Sequence, residues 1–279
     1  MFNDITLYVA GIVTAPSIDS LEISLNNAAN QLSQWFRRNG LALNLTKTHF
    51  LHFYLGSREP RRLTVKAGGV SLDQMEATTF LGFKIDRKLT WEPHIDQLSG
   101  RLGAACFALS RLARVVPQHT VRTSYFATVH SLLQYGAEIW GRAAEWQRAF
   151  RLQKRAIRSV VRVTQETSVR PYFKELGILT LPSVVIYQIA IYTYTKLGEY
   201  KKRADSARSL RHPDRLLPVK RRLAKSENVT HVAGPTVYNR LPKEITSATS
   251  LKCFKTRLKT WLLEHTFYSF NEFLNVQIL

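Results

Sequence analysis

The sequence predicts an α+β chain, with a helix and a small antiparallel sheet in its first third and helices through the rest. Before Trp91, short runs rich in aromatic and β-branched residues alternate with turn residues. After Ile95, apolar residues recur every three or four positions, the period of an amphipathic helix. The 279 residues, 45% hydrophobic and 11% aromatic, can bury a substantial core, and a chain of that length divides into about two domains.

The opening DITLYV is a strand candidate and GIVTAPS a turn. Leu21, Leu25, Ala28, Ala29, Leu32, Trp35 and Phe36 then mark a helix that Asn39-Gly40 stops. HFLHFYLG (49–56), RLTVK (62–66) and TTFLGFKID (78–86) are the strands expected to form the antiparallel sheet. Ile95, Leu98, Leu102, Ala105, Cys106, Leu109 and Leu112 define the next helix, closed by Pro117. Two further helices are expected over 120–135 and about 145–163. VVIYQIAIYTYT (184–195) reads as a buried helix, because it is shorter than the roughly 20 residues that span a bilayer and is interrupted by Gln188 and Thr193. A basic linker is expected near 198–232. The last helix places Phe254, Leu258, Trp261 and Leu262 on one face and Lys252, Lys255 and Lys259 on another.

Forty Lys and Arg against twenty Asp and Glu give a net charge of +20. That excess attracts polyanions, which makes nucleic acid the leading partner, although ribosomal, chromatin and membrane-surface proteins share it. In the helix over 145–163, Arg148, Arg151, Arg155, Arg158 and Arg162 step by three or four residues, while Ala149, Leu152, Ala156 and Val160 take the other side. Such a stripe is either a solvated face or a phosphate track. From Arg101 to Arg170 twelve Lys or Arg stand against three acids, too few for i,i+4 pairs to account for the arginines, which favours phosphate contact. A second basic block runs from Lys196 to Lys225, with eleven Lys or Arg against three acids.

Cys106 and Cys253 are too few for a disulfide framework and lack metal-ligand spacing, which fits a reducing, intracellular compartment, nucleus or cytoplasm. The N-terminus has no basic stretch followed by an apolar run and does not read as a signal peptide; no membrane association is expected. His94, His119 and His130 have no Cys or carboxylate at ligand spacing and read as structural.

Several segments carry a family resemblance: LSQWFRRNGLALNLTKTHFLHF (32–53), FLGFKIDRKLTWEPHI (80–95), LLQYGAEIWG (132–141), LQKRAIR (152–158), RPYFKELGILTLPS (170–183), VYNRLPKEI (237–245) and FKTRLKTWLLEHTFYSFNEFL (254–274). In number, order and spacing they resemble reverse transcriptases of Jockey-like non-LTR retrotransposons. The resemblance implies a partial palm over 1–92, a helical thumb over 93–165 and a basic C-terminal region over 166–279. It also implies that the fingers and upstream palm of the intact polymerase are missing, with Met1 a new start in a truncated copy. RNA and DNA, as a primer–template duplex, are the implied partners.

The family's catalytic turn carries an aromatic-Ala-Asp-Asp tetrad, and the equivalent here is Met1-Phe2-Asn3-Asp4. Two-metal polymerases clamp their ions with carboxylates, and Mg²⁺ prefers charged oxygen ligands. Asn3 in place of the first Asp therefore weakens a site in which Asp4 is the remaining ligand. The intact enzyme would use Mg²⁺; this chain is expected to hold none stably and to be inactive alone. Its own activity is then either nucleic-acid binding without catalysis or protein interaction. Lys47 matches a lysine that assists the leaving group as a general acid, although by itself it reads as a surface lysine. Phe80, Leu81 and Gly82 resemble the primer-grip hairpin, where glycine lets a backbone approach; the plain reading is a hairpin with Phe80 in the core, and both readings can hold together. Trp91 is expected to pack at the palm–thumb junction.

Overall fold

A computed structural model describes residues 14, 16–54, 56, 58–202, 215–220 and 227–276. The expected N-terminal strand, Asn3, Asp4 and most of the basic linker lie outside them. The chain forms two compact units, Met1–Thr90 and Trp91–Leu279.

In the first unit, α1 (Ile18–Arg38) starts where Ser17 and Ser20 form a reciprocal capping box, and ends at Asn39 before Gly40, whose φ is +66°. The five residues 63–67 alternate between core and solvent, with Leu63, Val65 and Ala67 buried. The side chain of Asn26 docks α1 against this run: its Nδ2 donates to the Thr64 carbonyl at 2.9 Å and its Oδ1 accepts from the Lys66 N–H at 2.8 Å.

The ladders are short: β1 (His49–Phe50), β2 (Lys66–Ala67), β3 (Val70–Ser71), β4 (Asp73–Gln74), β5 (Ala77–Phe80) and β6 (Phe83–Asp86). The pairs β2–β3 and β5–β6 are antiparallel hairpins, but β1 pairs with β4 in parallel. The single antiparallel sheet expected from the sequence is thus replaced, among the described residues, by three two-stranded ladders. The chain reverses at Gly68-Gly69, between β2 and β3. Arg87 closes the unit from inside, with only 2% of its surface exposed; its Nη1 donates to Glu59 at 2.9 Å and to Glu76 at 2.6 Å.

The second unit begins with α2 (Glu92–Leu112), whose N-cap residue Trp91 sits at φ +64°. Trp91 stacks edge-on with His94, which is buried between it and Trp140. The chain continues through α3 (Gln118–Tyr125), a π-helical turn (Phe126–His130) and α4 (Ser131–Gln134) as one unbroken helix, with Val121, Tyr125, Val129 and Leu133 fully buried four residues apart. Then follow α5 (Ala137–Trp140), α6 (Trp146–Val161), α7 (Arg170–Glu175) and α8 (Leu181–Thr195). After a 3₁₀ turn at Leu197–Glu199 come α9 (Thr230–Tyr238), α10 (Lys243–Thr246), α11 (Leu251–His265) and α12 (Phe270–Leu274).

The helix expected at 184–195 is α8, and it is central. It carries no polar face, so it must be covered on all sides; α4, α5, α6, α9 and α11 pack against it. Described helices on both sides of residue 165 thus pack against α8, within the unit Trp91–Leu279. Two glycines permit the close packing. A Cβ on Gly141 would collide with Val185, and one on Gly234 would lie 2.5 Å from Thr193 Oγ1 and 2.6 Å from the Tyr200 hydroxyl. No described helix is long and apolar enough to cross a membrane.

Candidate nucleic-acid interface

With 100° per residue, the five arginines of the 145–163 segment fall within about 80° of arc. The side chains buried on α6 are Ala149, Phe150, Gln153, Ala156, Ile157 and Val160, and they centre on the opposite direction. The two faces inferred from the sequence are therefore present, with Leu152 at the margin and half-buried. Gln153 is the polar member of the core face. Its Nε2 donates to the Tyr125 hydroxyl and to the Leu179 carbonyl, both at 2.9 Å, and its Oε1 accepts from the Leu181 N–H at 2.7 Å. This amide ties α6 to α3 and to the start of α8. Burial pushes the Tyr125 phenol well above its usual range, against the opposing pull of the Gln153 hydrogen bond.

The arginines themselves divide into two groups. Arg148 is ion-paired to Asp96 of α2. Arg158 Nε donates to the Thr167 carbonyl at 3.3 Å. Arg162 ends the helix at φ +59°, and its Nη2 donates to the Val116 carbonyl at 2.6 Å. Of the five, only Arg151 and Arg155 are exposed with side chains that make no hydrogen bond or ion pair with any described residue. Arg148, Arg158 and Arg162 of the expected stripe thus each have a contact within the fold.

Beside the stripe the structure adds basic residues that the sequence pattern passed over. Lys154 lies over the rings of Phe150 (5.0 Å) and Tyr268 (5.6 Å). Its pKa is lowered, first by burial and then by Arg158 and Arg151. Arg170 lies 4.5 Å over Tyr268 and is paired with Glu272. Both sit off the arginine period, and the aromatic residues that hold them are brought in from elsewhere in the chain.

In the first unit, Phe80 pairs with Phe83 around a two-residue turn in which Leu81 (φ +48°) and Gly82 (φ +79°) are both left-handed. This is the geometry of a tight hairpin whose backbone follows the strand twist. Phe80 is half-buried rather than a core residue, and Leu81 at the tip is 64% exposed. Lys47 is exposed in a turn organised by Asn44, whose Oδ1 accepts from the Thr46 N–H at 3.1 Å and the Lys47 N–H at 3.2 Å. Lys47 and the hairpin tip therefore belong to one unit and the arginines to the other. Among the described residues no cluster of His, Cys, Asp or Glu could hold a metal ion; Asn3 and Asp4 lie outside them.

Two curated proteins of Drosophila melanogaster are similar to the chain. The "Probable RNA-directed DNA polymerase from transposon BS" is 31% identical over 134 residues, which is 46% of this chain and 15% of that protein. The "Probable RNA-directed DNA polymerase from transposon X-element" is 27% identical over 125 residues, 43% of this chain and 13% of that protein. The matched stretch is thus a small part of each relative's length. No family model matches, and no solved structure gives a significant match. These similarities relate the chain to the RNA-directed DNA polymerases of transposons.

Proposed function

We propose that this chain corresponds to the end of the palm, the thumb and the basic C-terminal region of a Jockey-like non-LTR retrotransposon reverse transcriptase, and that alone it binds RNA and DNA without copying them. The observation that carries the binding half is the exposed, uncommitted pair Arg151 and Arg155, on a helix whose opposite face is sealed into the core. Guanidinium groups without internal partners are available to phosphate oxygens. The similarity to transposon RNA-directed DNA polymerases supports the family half. In this reading the turn Phe80-Leu81-Gly82 contacts the primer strand and Lys47 keeps the position of an ancestral general acid.

The absence of copying follows from chemistry. Polymerases of this kind rely on divalent cations held by several carboxylates to activate the primer hydroxyl and stabilise pyrophosphate. The tetrad Met1-Phe2-Asn3-Asp4 offers Asp4 alone. Fluorescence anisotropy of a labelled RNA–DNA duplex tests the binding half: log K should fall linearly with log[salt], and no binding at low salt would refute it. Primer extension on poly(rA)/oligo(dT) with Mg²⁺ or Mn²⁺ tests the other half. None is expected, and extension abolished by Asp4→Ala would overturn it.

A further inference from the structure

The outer face of α2 holds an aromatic side chain with no structural task. Phe107 is 62% exposed and falls outside the apolar stripe that buries Ile95, Leu98, Leu102, Cys106 and Leu109. One exposed ring is ordinary, but its surroundings are not. One and two turns earlier, Gly103 and Gly100 leave a bare floor, where an added Cβ would meet nothing within 4 Å. One turn later, the Arg111 guanidinium lies 5.8 Å from the ring centroid.

The α2 and α6 helices run side by side in the same direction, as three links in matching order record. Asp96 pairs with Arg148, the Cys106 thiol donates to the Leu152 carbonyl at 3.3 Å, and Arg162 donates to the Val116 carbonyl following α2. This register sets the uncommitted Arg155 on the turn of α6 beside Cys106, the residue before Phe107. Its charge acts on the neighbouring Cys106 thiol, drawing its pKa down against the larger upward push of burial. Between residues 96 and 115 the sequence contains three arginines and a single acid, Asp96, which Arg148 neutralises.

We propose that this face is a stacking platform for single-stranded nucleic acid, in which an unpaired base lies on the Phe107 ring above the glycine floor and the adjoining phosphates meet Arg111 and Arg155. The proposal rests on the nucleic-acid reading above and adds the strand form. Within a duplex, base faces are closed by neighbouring bases; an exposed ring can accept only a base that is unpaired. The cationic flanks complement a polyanion, and the glycine floor lets a flat group come close.

The test uses the full chain, a dT oligomer carrying one 2-aminopurine, and an RNA–DNA duplex of equal charge. Stacking on Phe107 should quench the 2-aminopurine emission when the protein binds. Phe107→Ala should abolish the quench and weaken single-strand binding about tenfold, leaving duplex affinity within about twofold, whereas Phe107→Tyr should keep both quench and affinity. If Phe107→Ala retains the quench and affinity while Arg151→Gln/Arg155→Gln weakens both ligands, the platform is wrong and the nucleic-acid reading stands. If the parent binds neither ligand, that reading falls and the platform with it. Equal losses for single strand and duplex would make Phe107 a general contact and overturn the proposal. So would loss of self-association in sedimentation with nucleic-acid binding unchanged, which would mark a protein-docking face.

Discussion

Replacing Arg151 and Arg155 together by Gln should change salt dependence more than fold. Each phosphate neutralised by a cation contributes about 0.7 to 0.9 to the slope of log K against log[salt]. If both uncommitted arginines meet phosphates, the double variant should flatten the slope by about 1.4 to 1.8. If all five of the stripe met phosphates, the stripe would supply about 3.5 to 4.5. The smaller figure is expected if the contacts of Arg148, Arg158 and Arg162 with Asp96, the Thr167 carbonyl and the Val116 carbonyl persist when a ligand binds. Substituting those three should instead appear in stability, by up to about 1 kcal/mol each for contacts that are exposed or part-buried. The assay is anisotropy of a labelled RNA–DNA duplex titrated at five or six salt concentrations, with circular dichroism melts of each variant. A double variant with the parent's slope would refute the reasoning, as would a triple Arg148/Arg158/Arg162 variant with the parent's melting temperature and a much flatter slope.

Gln153→Leu should be strongly destabilising, because it strands the Leu179 carbonyl, the Leu181 N–H and the Tyr125 hydroxyl in the core; a loss of about 3 kcal/mol or more, or about 6 to 12 °C in Tm, is expected, and a fall under about 2 °C would count against it. Gly141→Ala should cost about 2 kcal/mol, since its new methyl would meet Val185 and the Ala137 carbonyl oxygen, while Gly100→Ala, with open space around it, should stabilise α2 by about 0.5 to 1 kcal/mol; chemical denaturation of the two variants should therefore move in opposite directions. Burial, aided by Lys259, depresses the His130 pKa to about 4. The native ring stays neutral while the unfolded chain takes a proton below its ordinary pKa of about 6.5, so stability should decline as pH falls from about 6.5 toward 4, by up to about 1.4 kcal/mol per unit. His130→Leu should remove that part of the slope in urea titrations at several pH values, and an unchanged slope would show that the ring is solvated.

What could be read from the sequence was periodic and local. The two faces of α6, the Asn39-Gly40 stop and the all-apolar run of α8 each follow from residues within one or two turns, and each is found where the pattern placed it. Pairing across long stretches was not legible. The parallel match of β1 with β4 joins residues 24 apart, and alternation of side chains is the same for either strand direction. Gln153 escaped notice for a different reason: pattern reading treats glutamine as a surface residue, although its position between Ala149 and Ala156 on the core face was a usable signal. Phe107 offered the converse signal, an aromatic on the side of a helix that the stripe leaves to solvent.

The arginine stripe shows why counting charges overstates a binding surface. A sequence reveals how many cations share a face but not what the fold asks of each, because the partners lie far along the chain. Asp96 is 52 residues from Arg148 and Val116 is 46 residues from Arg162. Arg162 is the sharpest instance. A helix commonly ends with a left-handed residue, and glycine takes that role without steric cost. Here an arginine adopts φ +59°, and its side chain reaches the carbonyl after α2. That bond secures the end of α6 against α2, so the guanidinium that would complete a phosphate track is the one that fixes the helix pair in register. The stripe guanidiniums that make no hydrogen bond or ion pair with a described residue are those of Arg151 and Arg155, in the middle of the helix rather than along its length. A polyanion following this surface would therefore be gripped over a short span beside the seam with α2, where Phe107 and Arg111 also stand.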